Sequence, residues 1–246
     1  MINNYINDKL VQISNNIFCS DYVFNLDIET KLIPNCYYDY PYLIIDDFLK
    51  EEECLLINKD IQKSANYERA RLRTLDKIPD KKLDEDIRKT YIYKIKDEYL
   101  ELYKTRFIEN QSQIENYFNL CMTKSSNLQA LEYLKENFYA IHSDDSSMIY
   151  DNDKLIGFKP VAKNRKLTTV LFTTSYNESN TDENSFNGGE LVFNFLFDKD
   201  KNMVKFKPKM GQLIVFPSNP FFCHEVQKVN DGRRVSLVQW HDAILN

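Results

Sequence analysis

Phe222-Phe-Cys-His-Glu-Val-Gln-Lys-Val229 and, after a short turn, Arg234-Val-Ser-Leu-Val-Gln-Trp240 are two runs in which apolar and polar residues alternate. On a strand, successive side chains point to opposite faces, so residues two apart share one. Phe222, His224 and Val226 then form one row, with Cys223 and Glu225 on the other side. In the second run Arg234, Ser236, Val238 and Trp240 share a face. A histidine in the row of Phe222 and Val226 is dry and points inward. A guanidinium stays charged at any working pH and offers a planar fork of donors, which suits a carboxylate in a closed pocket. Ser236 can add a hydrogen bond to it.

Working outward, the same texture recurs at Gln129–Tyr139, Leu167–Thr174, Leu191–Phe197, Met203–Phe206 and Gln212–Phe216. Seven such runs with turns between them imply two antiparallel sheets. The expected fold is mainly β with helical additions: a double-stranded β-helix (jelly roll, cupin-like) flanked by α-helices, with a mouth between the sheets for a ligand. Upstream, a strand at Tyr42–Asp46 precedes a helix from Lys50 to Ala65, which starts acidic as the helix dipole prefers. From Lys82 to Leu120, apolar residues at Leu83, Ile87, Tyr91, Ile95, Tyr99, Leu102 and Ile108 step by threes and fours, which predicts amphipathic helices against the outside of a sheet. Residues 177–187 read as an exposed loop. Asp145–Lys166 is longer than a connection needs to be, and it carries Met148, Ile149, Tyr150, Leu155, Ile156 and Phe158 beside Lys154, Lys159, Lys163 and Arg165. It reads as a substrate-covering loop.

At 246 residues, 43% apolar and 13% aromatic, the chain can bury one sizeable core. The expected layout is an N-terminal extension over residues 1–40 and a single globular unit over 41–246. A net charge of −5 gives no general attraction to nucleic acid or to an anionic membrane. The opening Met1-Ile-Asn-Asn-Tyr-Ile-Asn-Asp-Lys9 lacks the apolar core of a signal peptide, and no run is long enough to span a bilayer, so a cytoplasmic protein is expected. Cys19, Cys36, Cys54, Cys121 and Cys223 are odd in number and form no Cys-x-x-Cys, which favours reduced thiols.

The chain has three histidines, and two of them carry chemistry. In His142-Ser143-Asp144 an imidazole and a carboxylate lie two apart, so both can grip one ion. With His224 from another strand they give two nitrogens and one carboxylate on one side of a metal. That leaves the opposite positions open, the arrangement of non-haem Fe(II) oxygenases. Asp145 has the wrong parity for the same face. Glu190 reads as bracing a turn, and His241, at odd parity beside Trp240, reads as structural or surface.

This ordered set resembles the 2-oxoglutarate- and Fe(II)-dependent dioxygenases, in particular their prolyl 4-hydroxylase-like branch. That branch is marked by His-x-Asp, a distal His followed by Arg or Lys, a Trp shortly after, Gly-Gly-Glu-Leu and a Pro-x-x-Gly-x-(apolar)-Phe-Pro stretch. Here stand Gly188-Gly-Glu-Leu191 and Pro208-Lys-Met-Gly-Gln-Leu-Ile-Val-Phe-Pro217. Pro41-Tyr-Leu-Ile-Ile-Asp-Asp-Phe-Leu49 with Glu51-Glu-Glu-Cys54 is similar to the opening strand and helix of the same domain. The resemblance runs from about residue 40 to 242. It implies that His142, Asp144 and His224 hold Fe(II) and that Arg234, with Ser236, binds the far carboxylate of 2-oxoglutarate. Tyr139 and Trp240 match aromatic positions lining the family's co-substrate pocket.

The chain departs from the pattern in lacking the Gly-x-x-Tyr that often precedes the first His, and in offering Phe172 where many relatives place a Tyr. The activity implied consumes 2-oxoglutarate and O2, with ascorbate as an optional addition, releases succinate and CO2, and hydroxylates an unactivated C–H bond. His142, Asp144, His224 and Arg234 are its catalytic set. The Asp144 carboxylate favours hydroxylation, since related halogenases carry a small residue there. The expected substrate is proline or another amino-acid residue of a peptide or protein. A free amino acid or small metabolite is the alternative, and a non-catalytic binding protein on the same fold is a third reading. Oligomeric state is left open.

Overall fold

Val, Ile, Leu and Phe alternate with polar residues through most of the chain beyond residue 120, and such segments pair into ladders. The computed structural model describes residues 9–29, 32–64, 67–69, 87–152, 154–179 and 181–246. In chain order its strands are β1 Leu10–Gln12, β2 Phe18–Ser20, β3 Leu43–Ile45, β4 Tyr67–Arg69, β5 Arg88–Lys89, β6 Tyr91–Tyr93 and β7 Leu120–Ser125. Then come β8 Gln129–Tyr133, β9 Phe138–His142, β10 Ser146–Asp151, β11 Lys154–Pro160, β12 Arg165–Phe172, β13 Ser175–Tyr176 and β14 Ser185–Gly188. The last are β15 Leu191–Phe197, β16 Met203–Phe206, β17 Leu213–Pro217, β18 His224–Val226, β19 Val229–Gly232 and β20 Arg234–Leu245. The helices are α1 Asp21–Phe24, α2 Glu51–Lys63 and α3 Asp97–Phe118.

Two sheets face each other. The major sheet runs β3-β17-β12-β20-β8-β6-β4, with β7 also along β20. The minor sheet runs β1-β2-β15-β18-β9-β5, with β16 on β15. The expected jelly roll with flanking helices is the fold observed. Two cores follow from strand alternation. On β12, Thr168, Val170 and Phe172 face the minor sheet, and the inter-sheet core gathers Val170, Phe172, Tyr133, Phe193, Phe216 and Val226. Leu167 and Leu171 face the helices, where they meet Ile57, Ile61, Tyr103, Phe107, Ile114 and Phe118. Those α3 residues recur at spacings of four and seven, so one stripe of the helix is buried. The described part of the N-terminal extension is not separate from this body, because β2 pairs with β15 and Cys19 and Val23 are buried.

Several expectations need correction or narrowing; residues 177–187, read as an exposed loop, run into β14, where Ser185 and Phe186 are buried. Helical spacing over Lys82–Leu120 holds only for α3: Arg88–Lys89 and Tyr91–Tyr93 are strands, and Leu83 lies outside the described residues. Tyr-Ile-Tyr is a strand-forming triplet, and a short apolar run fits either period. The run Gln129–Tyr139 is two strands broken at Lys135–Glu136, where Glu136 has φ 67. Asp145–Lys166 is not a loop. It contains the antiparallel hairpin β10–β11, in register from Ser146 opposite Pro160 to Asp151 opposite Lys154. Of the two readings of His241 the structural one holds: the ring is fully buried, stacked on Phe107 at 4.6 Å and hydrogen-bonded to Ser125 and Thr169 at 2.8 and 3.1 Å.

Burial pulls the His241 pKa from 6.5 down to about 3, so the ring is neutral in the fold and protonates first in the unfolded chain. Its contribution is complete above pH 6.5 and drains as pH falls toward 3, at up to about 1.4 kcal/mol per pH unit. Urea unfolding of His241→Gln between pH 7 and 5 should show a shallower loss of stability with acid than the parent. An unchanged slope would contradict this account.

Candidate metal centre and co-substrate pocket

His142 and His224 end up side by side because β9 and β18 pair with these two residues directly opposite, which turns both imidazoles to the same inner face. Each ring is fixed by its own strand: His142 Nδ1 lies 2.9 Å from the Ala140 carbonyl, and His224 Nδ1 lies 2.9 Å from the Phe222 carbonyl. A carbonyl can only accept, so each Nδ1 carries a proton, and the lone pair of each neutral ring lies on Nε2. Those lone pairs converge on Asp144, with His142 Nε2 3.7 Å from Oδ1 and His224 Nε2 3.8 Å from Oδ2. One ligand atom from each of the three residues lies within 4.8 Å of the others.

Asp144 stands just past the end of β9, so strand parity does not aim it. Thr168 of the major sheet does, donating to Oδ2 at 2.6 Å, and Thr168 is itself held by Ser218 at 2.8 Å. Arg165 donates to the Asp144 carbonyl at 2.6 Å. Asp145 is employed elsewhere: its carboxylate accepts from the Ser143 and Ser146 hydroxyls at 3.1 and 2.7 Å, and its carbonyl takes the Val161 and Ala162 N–H groups.

Burial, reinforced by His224, draws the His142 pKa to about 3, so the imidazole is neutral at working pH. Burial alone would raise the Asp144 carboxyl, but His224, His142, the Thr168 hydroxyl and Arg165 outweigh it and hold the group below its ordinary value. Two lone pairs and a carboxylate therefore face one another across a small gap, an arrangement that a divalent cation relieves. Nitrogen and oxygen donors in this 2:1 ratio, each imidazole anchored through its far nitrogen, fit Fe(II). Thr168→Val removes the bond that orients the carboxylate at nearly constant volume. Metal affinity should fall about 10- to 100-fold, measured by anaerobic Fe(II) titration, and equal affinity would deny Thr168 this role.

Deeper between the sheets, Arg234 is 1% exposed. Its guanidinium sits 4.9 Å from the Tyr133 ring, 5.1 Å from Phe172 and 6.0 Å from Phe186. Nη1 donates to Ser236 at 3.1 Å, while Nε is buried with no acceptor. Burial lowers its pKa to about 10, so it remains charged at neutral pH. A caged cation with an unanswered donor fits one end of a dicarboxylate. The Gly188-Gly189 turn explains itself here: Gly189 has φ 65, and a Cβ on it would meet the Arg234 stem at 3.2 Å.

Tyr139 and Trp240 border the triad rather than the Arg234 cage. Tyr139 stacks on His142 at 3.7 Å with Arg88 4.4 Å above it, and Trp240 lies opposite Thr168 under Arg165. The residues that alternation missed are Tyr133, Phe186, Arg88 and Thr168. Counting parity along β12 from Phe172 back to Thr168 would have found the last of these.

A jelly roll carrying an inward two-histidine, one-carboxylate cluster defines a class, the non-haem oxygenase-like β-sandwiches. A family model of the 2OG-Fe(II) oxygenase superfamily matches residues 128–242, so that segment is similar to this superfamily. A stretch of 66 residues is 32% identical to a PKHD-type hydroxylase of Prochlorococcus marinus (strain MIT 9312) and covers 27% of this chain and 27% of that protein, about a quarter of its length. Among solved structures, a prolyl hydroxylase from Trichoplax adhaerens in complex with a hypoxia inducible factor oxygen degradation domain peptide superposes with a TM-score of 0.61 at 18% identity, over 82% of this chain and 83% of that one. A prolyl-4-hydroxylase of Pseudomonas putida gives 0.55 at 20% identity, over 82% and 91%. At these identities the structural likeness is one of fold. The superfamily's cofactors are Fe(II), 2-oxoglutarate and O2, and His142, Asp144 and His224 could hold the iron. Among the described residues, no helix is long and apolar enough to cross a membrane.

Proposed function

We propose that this protein is a 2-oxoglutarate- and Fe(II)-dependent dioxygenase that hydroxylates an unactivated C–H bond of proline or another amino-acid residue in a peptide or protein. The observation that carries the reading is Arg234, a buried cation whose Nε has no acceptor, on the same interior face of the sandwich as the triad. A scaffold protein has no use for a desolvated, unanswered charge, whereas a co-substrate with two carboxylates needs one. When bound, iron with 2-oxoglutarate and O2 supplies oxidative decarboxylation and transfer of one oxygen atom to the substrate.

The chain's own residues supply the rest. His142, Asp144 and His224 would hold the metal on one side, both imidazoles locked as Nδ1–H tautomers by their own strands. Arg234 and Ser236 would take the far carboxylate, and Tyr133, in the same cage, keeps water away from that end. Phe193 and Phe216, edge-on to His224 at 6.2 and 5.1 Å, make the wall behind the metal apolar, which protects a strong oxidant from side reactions. Tyr139, Trp240 and the β10–β11 hairpin would line the substrate's approach. A peptide substrate is favoured by the similarly folded Trichoplax adhaerens hydroxylase in complex with one, and by a hairpin that exposes Ile149, Tyr150 and Ile156 next to the site.

The test offers proline-containing peptides and free amino acids in parallel, reading succinate release together with the mass gain of one oxygen atom. Coupled succinate and a hydroxylated peptide are the expected result. Oxygen gain on free amino acids alone would move the substrate to the small-molecule class. No succinate from any of them, and no visible charge-transfer band on anaerobic addition of Fe(II) and 2-oxoglutarate, would remove the oxygenase reading.

A further inference from the structure

A cation buried without an anion is driven toward water, and a strand end that can slide or peel lets it escape. What opposes this at Arg234 lies on the opposite face of the same two strands. Arg234 pairs directly with Tyr133 across β20 and β8, so Glu132, one residue earlier, points to the helix side, as does Arg233. Glu132 and Arg233 are 4% and 7% exposed and form an ion pair between Arg233 Nε and Glu132 Oε1. The Tyr93 hydroxyl donates to Glu132 Oε2 at 2.6 Å, and Arg233 Nη1 donates to the Asn58 carbonyl of α2 at 3.3 Å. The Asn58 amide donates in turn to the Thr173 carbonyl at 2.6 Å and to Asn184 Oδ1 at 3.0 Å. Arg233 also gives its backbone N–H to the Ser185 carbonyl at 2.9 Å, immediately after Gly232 turns the chain at φ 76.

The network therefore ties α2, β6, β8 and the segment after β12 to the residue next to Arg234. Its surroundings are the apolar layer of Ile57, Ile61, Ala130 and Val235. An ion pair placed there is desolvated at a cost that apolar residues of equal volume avoid, so stability is a poor account of it, and fixing a register is a better one. We propose that Glu132 and Arg233 are positioning residues: their ion pair locks the β8–β20 register and so holds Arg234 and Tyr133 toward the far carboxylate of 2-oxoglutarate. This rests on the role given to Arg234 above.

Glu132→Leu combined with Arg233→Met removes both charges of the pair together, so neither is left buried without its partner. Tyr93→Phe is a milder second variant that deletes one hydrogen bond to Glu132. The single tryptophan, Trp240, shares a strand with Arg234 and provides a fluorescence signal for anaerobic titration with Fe(II) and then 2-oxoglutarate. In the double variant the Kd for 2-oxoglutarate should rise about 10- to 100-fold, as small misplacements of a binding group do. In Tyr93→Phe it should rise a few-fold. Fe(II) affinity and kcat at saturating co-substrate should hold, the thermal midpoint of the double variant should not fall, and amide exchange over residues 232–236 should quicken. A folded double variant with parental affinity for 2-oxoglutarate overturns the proposal, because a merely structural pair would lower the thermal midpoint and nothing else. If the parent itself fails to bind 2-oxoglutarate, the role of Arg234 falls instead. Unchanged exchange over 232–236 would then sink the register lock as well.

Discussion

Arg234→Met is expected to yield a ligand-free protein that melts at a higher temperature than the parent and no longer responds to 2-oxoglutarate. Both halves come from one fact: the guanidinium is 1% exposed, caged by Tyr133, Phe172 and Phe186, and has an Nε with no acceptor. Replacing a poorly compensated buried charge by an apolar side chain of similar length is worth about 1–4 kcal/mol of stability. Losing a buried carboxylate partner costs about 2–5 kcal/mol of binding, or roughly 30- to 4,000-fold in Kd. Differential scanning calorimetry with and without 2-oxoglutarate reads both at once: the parent's melting temperature should climb on adding ligand, and the variant's should start high and stay there. A variant that is less stable and still shifted by ligand would mean that Arg234 serves the fold.

The second large effect belongs to Asp144→Asn. The amide keeps the shape and can still accept the Thr168 hydrogen bond, so unfolding midpoints should stay within about 1 kcal/mol of the parent. A metal held by the triad would lose its one anionic ligand. Since even the residues that merely orient metal ligands are worth about 10- to 100-fold in affinity, the ligand itself should cost more than about 100-fold. Fe(II) titration and succinate release should both collapse. Parental metal affinity in the Asp144→Asn variant would show that the ion is held elsewhere.

The row read from alternation in Arg234–Trp240 faces as expected for Arg234, Ser236 and Trp240, because parity within one strand is a local property. In Phe222–Val229 it holds only for His224–Val226, since Phe222 ends a 3-10 turn, Pro220–Phe222, and Cys223 lies in the same core as Phe222. The β18–β9 register then brings His142 opposite His224. Asp144 reaches the same gap for a reason that no local count contains: it lies beyond its strand and is steered by Thr168, which belongs to the other sheet. Tyr133 was hidden by the left-handed Glu136, which breaks the apparent run Gln129–Tyr139 and resets parity between Tyr133 and His142. Tyr91-Ile-Tyr93 was misread because a four-residue step from Ile87 coincides with helical periodicity, and only its pairing with β8 decides the matter. Glu132 and Arg233 carried no sequence signal at all, since a charge in a strand is ordinarily a solvated one.

Asp145 gives this neighbourhood one more property. The β10–β11 hairpin shares no ladder with either large sheet among the described residues, and that aspartate's side chain and carbonyl fasten it at its root. A module attached this way can be lengthened, trimmed or exchanged without disturbing the two imidazoles next door. The rim beside the triad can therefore vary in size and shape while the three converging side chains keep their places.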